Sequence, residues 1–361
     1  MNKMKDSATD KRRGKTLRPE LHRPVSLKQL AAHLKLNPAT VSVVLNDVPG
    51  RSIPQVTRDR IKAAAREMNY QPNLLARSLR SRRTLTIGIL VPELGDGYHT
   101  QVMSGIGDQL IKAGYFYFTA HHRHQMSLVE DYTRLLVGRG AQGIIAIDTL
   151  LEHPIRIPVV AVAGHRNIEG VTNVALDHAR AAELTLTHLY SLGHRKIAFM
   201  RGQPFSSDSD ERWKGLVAVA HRLGLQIIPE LVVSLDRDLS SPELGYPVVQ
   251  QLLATKQPFT ALVAFNDISA IGSIRALQDF NLKVPTDVSV IGFDDIKAAA
   301  FTWPRLTTIN QPLEEIGRIA TQCLLNRIQD GVEPREMITV EPELIIREST
   351  GPVKRSMPNL K

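Results

Sequence analysis

The sequence predicts an all-α helix-turn-helix headpiece followed by an α/β bilobal core of two doubly wound parallel-sheet subdomains. Three observations carry that expectation. The chain has 361 residues, too many for one ordinary hydrophobic core and suited to a small domain joined to a two-lobed one. Helical periodicity occupies the stretch from Ser26 to Met68, whereas from Thr84 onward short β-branched runs alternate with amphipathic helical ones, the pattern of parallel α/β units. Charge follows the same division: residues 1–83 hold 19 Lys and Arg against 6 Asp and Glu, and the remainder holds 26 against 30. A basic first quarter is the electrostatic footprint of phosphate binding, because each neutralised phosphate releases condensed counterions. For Lys3 to Arg18 a solvated basic tail is the other open reading.

In the headpiece, Ser26-Leu27-Lys28-Gln29 has the spacing of a capping box and opens a helix that ends near Leu34. The turn Lys35-Leu36-Asn37 leads to a second helix from Pro38 to about Asn46. Asn37 can cap it, and Pro38 sits at the first helical position, where its missing N–H costs nothing. Val41, Val44 and Leu45 share one face, leaving Ala39, Thr40, Ser42 and Val43 free to point elsewhere. This is a helix-turn-helix with a reading face. Thr57 is expected to open a third helix reaching Met68, with Ile61, Ala64, Ala65 and Met68 as its buried stripe.

In the core, strands are expected at Thr86–Val91, Tyr115–Thr119, Gly143–Ile147, Val159–Val162, Ile197–Met200, Ala261–Ala264 and Ser289–Gly292. Helices are expected at Thr100–Ala113, Leu128–Arg139, Ala179–Leu192, Gly215–Leu223 and Ile268–Phe280. Ligands of open parallel sheets collect at the carboxyl ends of strands. Those ends are Pro92-Glu93, Ala120-His121, Asp148 and Gly164-His165 in the first half, then Arg201-Gly202, Asn266-Asp267 and Phe293-Asp294 in the second. Carboxylates, an amide and an arginine suit hydroxyl-rich or heterocyclic small molecules, whose donors and acceptors need partners inside a mostly apolar cleft.

The order of these parts resembles the LacI/GalR family of bacterial repressors from about Pro24 to Thr350. The segments that carry the resemblance begin with Ala39-Thr40-Val41-Ser42, Val44-Leu45-Asn46, Asn69-Tyr70-Gln71-Pro72-Asn73 and Ala76-Arg77-Ser78-Leu79. They continue with Leu192 to Phe199, Asp210-Glu211-Arg212 before Gly215, Phe265-Asn266-Asp267, Val288 to Asp295, Leu306 to Ile309 and Arg347-Glu348-Ser349-Thr350. The resemblance implies a basic, disordered tail at 1–23, a helix-turn-helix DNA-binding domain at 24–72 and a hinge helix with linker at 73–83. It further implies an effector-binding and dimerisation core at 84–350, resembling type I periplasmic binding proteins, and a tail at 351–361. A homodimer would read a pseudo-palindrome in double-stranded operator DNA. A small-molecule effector, a sugar or related metabolite, would control operator affinity by favouring one arrangement of the lobes.

Residue by residue, the resemblance places DNA contacts at Ser26, Pro38, Ala39, Thr40, Ser42, Val43, Asn46, Arg51, Tyr70, Asn73, Ala76, Arg77 and Leu79. Leu79 matches the leucine that wedges into the minor groove, with core packing as the alternative, and the arginines around it are expected on phosphate. Two departures stand out. Lys35 replaces the usual turn glycine, at about 1 kcal/mol if the backbone there is left-handed. Val43 replaces a base-reading arginine, and Pro38 and Ala39 fill other reading positions, which removes about 1–3 kcal/mol of base discrimination. Specificity is therefore expected to lean on Thr40, Ser42 and DNA shape.

For the effector, the resemblance matches Arg212, Asn266 and Asp294 to the family's gripping arginine, amide and carboxylate, the last two being alternatively strand-end caps. From the first half, Glu93, Tyr98, His99 and Asp148 join them. Ser206 to Ser209 reads as a serine-rich loop at the cleft edge. His121-His122-Arg123-His124 reads as a solvated loop or cleft rim rather than a metal site, and Trp213 and Trp303 as ring walls or core.

No nucleophile elbow or Walker-type loop occurs, so neither enzymatic activity nor a cofactor is expected. A binding protein with a degenerate headpiece is the remaining alternative. Cys323 is the only cysteine, which excludes an internal disulfide framework. No apolar run reaches the roughly 20 residues that span a bilayer, so a cytoplasmic, nucleoid-associated protein is expected.

Overall fold

Helices α1 (Leu27–Leu34), α2 (Pro38–Leu45) and α3 (Gln55–Glu67) make up the first of two units, which divide at Arg82/Arg83. The computed structural model describes residues 25–47, 51–71, 83–95, 97–164, 167–236 and 242–354. Ser26 caps α1 as a full capping box: the Gln29 amide donates to Ser26 Oγ at 3.3 Å and the Ser26 amide to Gln29 Oε1 at 2.8 Å. Lys35, at φ 53°, ends α1 in the left-handed conformation that glycine favours. Asn37 Oδ1 accepts from the Ala39 amide at 2.8 Å, and Pro38 starts α2. The third helix begins two residues before Thr57, at Gln55, because Pro54 already supplies the cap and its carbonyl accepts from Thr57 and Arg58. Leu30, Val41, Val44 and Ile61 are fully buried between the three helices, with Met68 and Tyr70 packed at the margin.

The second unit contains two sheets of one plan. The first lobe holds β1 (Thr86–Val91), β2 (Phe116–His121), β3 (Gly143–Ile147), β4 (Val159–Val162), β5 (Val171–Leu176) and β11 (Met337–Val340), in the order β11-β5-β4-β3-β1-β2, all parallel. The second holds β6 (Ile197–Arg201), β7 (Val232–Ser234), β8 (Ala261–Val263), β9 (Ser289–Asp294), β10 (Thr307–Asn310) and β12 (Glu343–Ile345), in the order β12-β10-β9-β8-β6-β7. Only β12 runs antiparallel to its neighbour. Helices α4 (Tyr98–Lys112), α5 (Met126–Gly138) and α10 (Leu313–Asp330) belong to the first lobe. Helices α6 (His178–Ser191), α7 (Ser207–Arg222), α8 (Gly245–Ala254) and α9 (Asp267–Asp279) belong to the second.

Strands β1, β3, β4 and β6 are buried nearly throughout and read as continuous aliphatic runs, as strands covered on both faces must. Helices α4 and α10 cross so closely that a Cβ on Gly105 would lie 1.9 Å from the Glu314 carbonyl oxygen, which requires glycine there. The chain passes between the lobes three times, at 176–178, 310–313 and 340–343. Two of these crossings are tied together, the Asp177 amide donating to the Val340 carbonyl at 2.9 Å.

Several expectations need correction. Ser206 to Ser209 is not a loop: Ser206 is an N-cap and α7 starts at Ser207, well before Gly215, its run of polar residues having hidden a first helical turn that favours acids such as Asp208 and Asp210. Strands β5, β7, β10, β11 and β12 and helices α8 and α10 were not anticipated. Trp303 is 85% exposed and walls no cleft.

Candidate functional site

The headpiece presents one face of α2. With Val41 and Val44 turned into the core, Pro38, Ala39 and Asn46 are exposed, and Thr40, Ser42 and Val43 are half-buried. Asn46 Nδ2 donates back to the Ser42 carbonyl at 2.7 Å and to its Oγ at 3.3 Å, so this pair offers one joined polar group. The Ser26 hydroxyl is occupied by the capping box, Arg51 is exposed, and Tyr70 leans on the headpiece core. Asn73, Ala76, Arg77 and Leu79, with the expected hinge helix, lie outside the described residues.

In the core unit, strand carboxyl ends from both lobes face one cleft of about 730 Å³, part of it open to solvent. All seven effector candidates, Glu93, Tyr98, His99, Asp148, Arg212, Asn266 and Asp294, line it. Glu93 follows β1, Asp148 follows β3, Asn266 follows β8, and Asp294 ends β9. Tyr98 and His99 stand on the first turn of α4, and Arg212 on the second turn of α7. The two strand orders reverse at β1/β3 and at β6/β8, the switch points where such sheets take ligands. Gln203, Phe205 and Phe265, which the sequence reading did not assign to the site, also line the cleft, together with Asp208 and His124 from the stretches read as its edge and rim. Asp208 was hidden by the loop assignment, although its i,i+4 spacing to Arg212 on a helix was the available signal.

Arg212 is the centre of the second-lobe wall. Its guanidinium donates to Asp208 Oδ2 at 2.7 Å and to the Phe265 carbonyl at 2.9 Å, and lies 3.8 Å from Asp294 Oδ1. The rings of Phe293 and Phe265 lie 3.9 Å and 4.6 Å from it. Its buried Nε has no hydrogen-bond partner among the described residues, so at least that one of its five donors is unused. Desolvation opposes the charge, but Asp208 and Asp294 raise the Arg212 pKa overall. Behind it a second, more apolar cavity of about 470 Å³ is lined by Trp213, Leu216 and Phe293. Trp213 therefore packs behind the cleft, edge-on to Phe199, rather than walling it.

Asp294 is held in a strained backbone, φ 113°, followed by Asp295 at φ 55°. Asp267 accepts from the Ile296 amide at 2.9 Å and from Thr308 Oγ1 at 2.6 Å, and Arg347 pairs with Asp295 at 2.6 Å, so the turn is clamped from below. Gln311, on a crossing between the lobes, donates to Asp294 Oδ1 at 2.6 Å. Burial pushes the Asp294 carboxyl up to about 7, and Asp208 and Asp148 add to the rise against the pull of Arg212 and Gln311. Asn266 is an N-cap, accepting from the Ser269 amide at 2.9 Å, and lines the cleft as well, so both readings of it apply.

On the first-lobe side His99 Nε2 sits 3.9 Å from Asp148 Oδ2. Burial, with His124 and His122 nearby, pushes the His99 pKa down to about 3, and burial pushes the Tyr98 hydroxyl well above its usual range. His122 is buried against Thr149 Oγ1 at 2.9 Å. That hydroxyl already donates to the Ile147 carbonyl, so the imidazole is the donor. Gly97, at φ 103°, brings the first-lobe rim against Ile296 of the second, where a Cβ would lie 2.5 Å from Ile296 Cγ2. Among the described residues no group of three or more His, Cys, Asp or Glu could hold a metal ion, and no helix is long and apolar enough to cross a membrane.

A three-helix reading unit together with a two-lobed unit around a polar cleft defines a DNA-binding regulator with an effector-binding core. Profiles described as "Bacterial regulatory proteins, lacI family" and "Periplasmic binding protein-like domain" match residues 26–73 and 186–350. The HTH-type transcriptional repressor PurR of Aliivibrio fischeri strain MJ11 is 30% identical over 332 residues, 90% of this chain and 98% of that protein. The protein of the same name from Haemophilus influenzae strain Rd is 31% identical over 336 residues. The chain belongs to the LacI family, and is a DNA-binding transcriptional repressor with an effector-binding domain. In fold it is similar to the Lac repressor dimer bound to operator and the anti-inducer ONPF, with TM-score 0.81 at 24% identity, covering 91% of this chain and 100% of that one. A LacI family regulator from Enterococcus faecium with bound ribose gives TM-score 0.66 at 27% identity over 74% of this chain and 100% of that one.

Proposed function

We propose that the interlobe cleft takes a small polar effector, a sugar or related metabolite, and that Glu93, Tyr98, His99, Asp148, Arg212, Asn266 and Asp294 hold it. The observation that carries this is convergence: seven residues chosen from separate stretches of sequence line one cavity at the carboxyl ends of both sheets. The effector would bind the closed lobe arrangement better than the open one, and that difference sets its leverage on operator affinity. The protein acts in the cytoplasm as a homodimer on a pseudo-palindromic operator, an assembly favoured by the operator-bound dimer among its structural relatives. The α2 face, with Ala39, Thr40, Ser42, Val43 and Asn46, enters the major groove. The hinge at 73–83, with Leu79, takes the minor groove.

The reading as a binding site is supported by the way Arg212 and Asp208 hold each other and Gln311 holds Asp294, which presents fixed partners to a ligand. The test is to titrate sugars and nucleobases into the full chain, reading tryptophan fluorescence and operator affinity in parallel. One compound should move both, and the Arg212→Met variant should respond in neither. A compound that moves operator affinity equally in that variant would overturn the assignment.

A further inference from the structure

We infer that helix α2 selects thymines through their 5-methyl groups, with Ala39 and Val43 each packed against one of them in every operator half-site. The inference rests on the reading of α2 as the helix that enters the major groove, and concerns what that helix selects there.

The outward face of α2 follows from its buried one. Val41 and Val44 are fully buried among the three helices. At 3.6 residues per turn the opposite face carries Ala39, Ser42, Val43 and Asn46, with Pro38 at its start. No residue of the helix is charged. Leu36, Leu45, Met68 and Tyr70 extend the headpiece core at its margin, whereas Ala39 and Val43 take no part in it. Ala39 is exposed and Val43 half-buried, so their methyl groups are apolar surface that the fold does not use.

The polar groups of that face cannot read a base in the usual paired way. Guanine presents two acceptors, N7 and O6, and is read by the paired donors of arginine or by lysine; α2 has neither residue. Adenine presents the N7 acceptor beside the N6 donor, and an asparagine reads both through its amide nitrogen and oxygen together. The Asn46 amide nitrogen is already engaged, donating to the Ser42 carbonyl at 2.7 Å and to Ser42 Oγ at 3.3 Å. What remains in the major groove for an apolar face to recognise is the thymine 5-methyl, which no other base carries. The same face disfavours the alternatives, because a cytosine amine or a purine acceptor covered by Val43 loses water and gains no hydrogen bond. Side chains four apart on a helix stand about 5–6 Å from each other, and bases of one strand are spaced by about 3.4 Å. The two thymines therefore lie within about two base steps.

The experiment takes the full-length protein and a duplex selected by it from randomised palindromic operators, with affinity measured at one fixed salt concentration. Each thymine of one half-site is replaced in turn by deoxyuridine, which removes the 5-methyl and keeps every hydrogen-bonding group. Binding is expected to weaken about fourfold at two positions within two steps of each other, the worth of one buried methyl. In Val43→Ala one of these losses should disappear, and in Ala39→Gly the other; neither side chain belongs to the headpiece core. At the Val43 position a 5-methylcytosine–guanine pair should bind more tightly than cytosine–guanine, which separates the methyl from the shape of an A·T step. Uracil tolerated at every thymine, or no gain from 5-methylcytosine, overturns the methyl inference and leaves α2 in the groove if Val43→Arg still alters the selected sequence. Losses that persist undiminished in both variants overturn it by assigning the methyl contacts to another part of the chain. A selection that returns no consensus, or one that Val43→Arg leaves unchanged, overturns the inference and the reading of α2 together.

Discussion

Replacing Asp294 by Asn should stabilise the core at pH 8 and leave it unchanged at pH 4. Asp294 is 4% exposed, and its carboxyl is raised from 3.8 to about 7 by burial, with Asp208 and Asp148 contributing and Arg212 opposing. A folded-state pKa above the unfolded one means that the native protein holds more protons between these two values. Stability is then fully present below pH 4 and is lost as pH rises through 7. Three units correspond to about 4 kcal/mol, which is the cost of keeping an ionised Asp294 in the cleft above neutrality. Asparagine cannot ionise, and its carbonyl still accepts from Gln311. The difference between variant and wild type should grow from near zero at pH 4 to about 4 kcal/mol in favour of the variant at pH 8.

His99 and His122 pull the other way, since burial lowers them to about 3 and about 4, so their contribution is lost as pH falls below 6.5. Both are present in the two proteins and cancel in the difference. The assay is urea unfolding followed by tryptophan fluorescence from pH 4 to 8, and both tryptophans, Trp213 and Trp303, belong to the core unit. A difference that is flat across this range, or that favours wild type increasingly as pH rises, would refute the reasoning.

Three further outcomes follow from the geometry. Val43→Arg restores a guanine-reading side chain on the exposed face of α2 and should shift the half-site recovered from randomised operators, by about 1–3 kcal/mol of discrimination at one base pair; an unchanged consensus would contradict it. Gly97→Ala places a Cβ 2.5 Å from Ile296 Cγ2 at φ 103° and should hold the lobes apart, so that whichever compound protects the wild-type core in thermal unfolding needs at least about tenfold more, corresponding to 1–2 kcal/mol. Equal protection would refute that. Arg212→Met removes the guanidinium beside Asp208 and Asp294 and should lower core stability by about 3–5 kcal/mol in urea unfolding at pH 8, with the loss shrinking at pH 5 as Asp294 takes up a proton.

The headpiece was legible because each of its boundaries rests on a local device. Ser26 with Gln29, Asn37 with Pro38, and the stripe from Ile61 to Met68 each act within a few residues, so the signal and its effect lie together in the chain. The central strands were equally plain, Ile87, Ile89, Ile144 and Ile145 forming runs that only a doubly covered sheet would bury. Strand β5 was not, because Thr172 and Asn173 interrupt its apolar run and its pairing partner β11 arrives from far along the chain. Short edge strands such as β12 depend on pairing of the same remote kind. In the cleft, residues at strand ends could be named from the sheet rule alone. Asp208 could not, because its role arises from a helix whose first turn is written in serine and aspartate, the composition of a loop.

The three crossings between the lobes have a consequence for biosynthesis. Neither lobe is one continuous stretch: the first takes α10 and β11 from near the end of the chain, and the second resumes with β12 after them. A ribosome-bound chain that has emerged as far as Asp294 has every cleft residue named here but lacks the helix that packs on α4 and the strand that covers β5. Both lobes can therefore close only when synthesis is nearly finished. Until then the α4 face that α10 covers and the β5 edge that pairs with β11 stand open, and exposed apolar surface and unpaired strand edges of this kind are where incomplete chains aggregate.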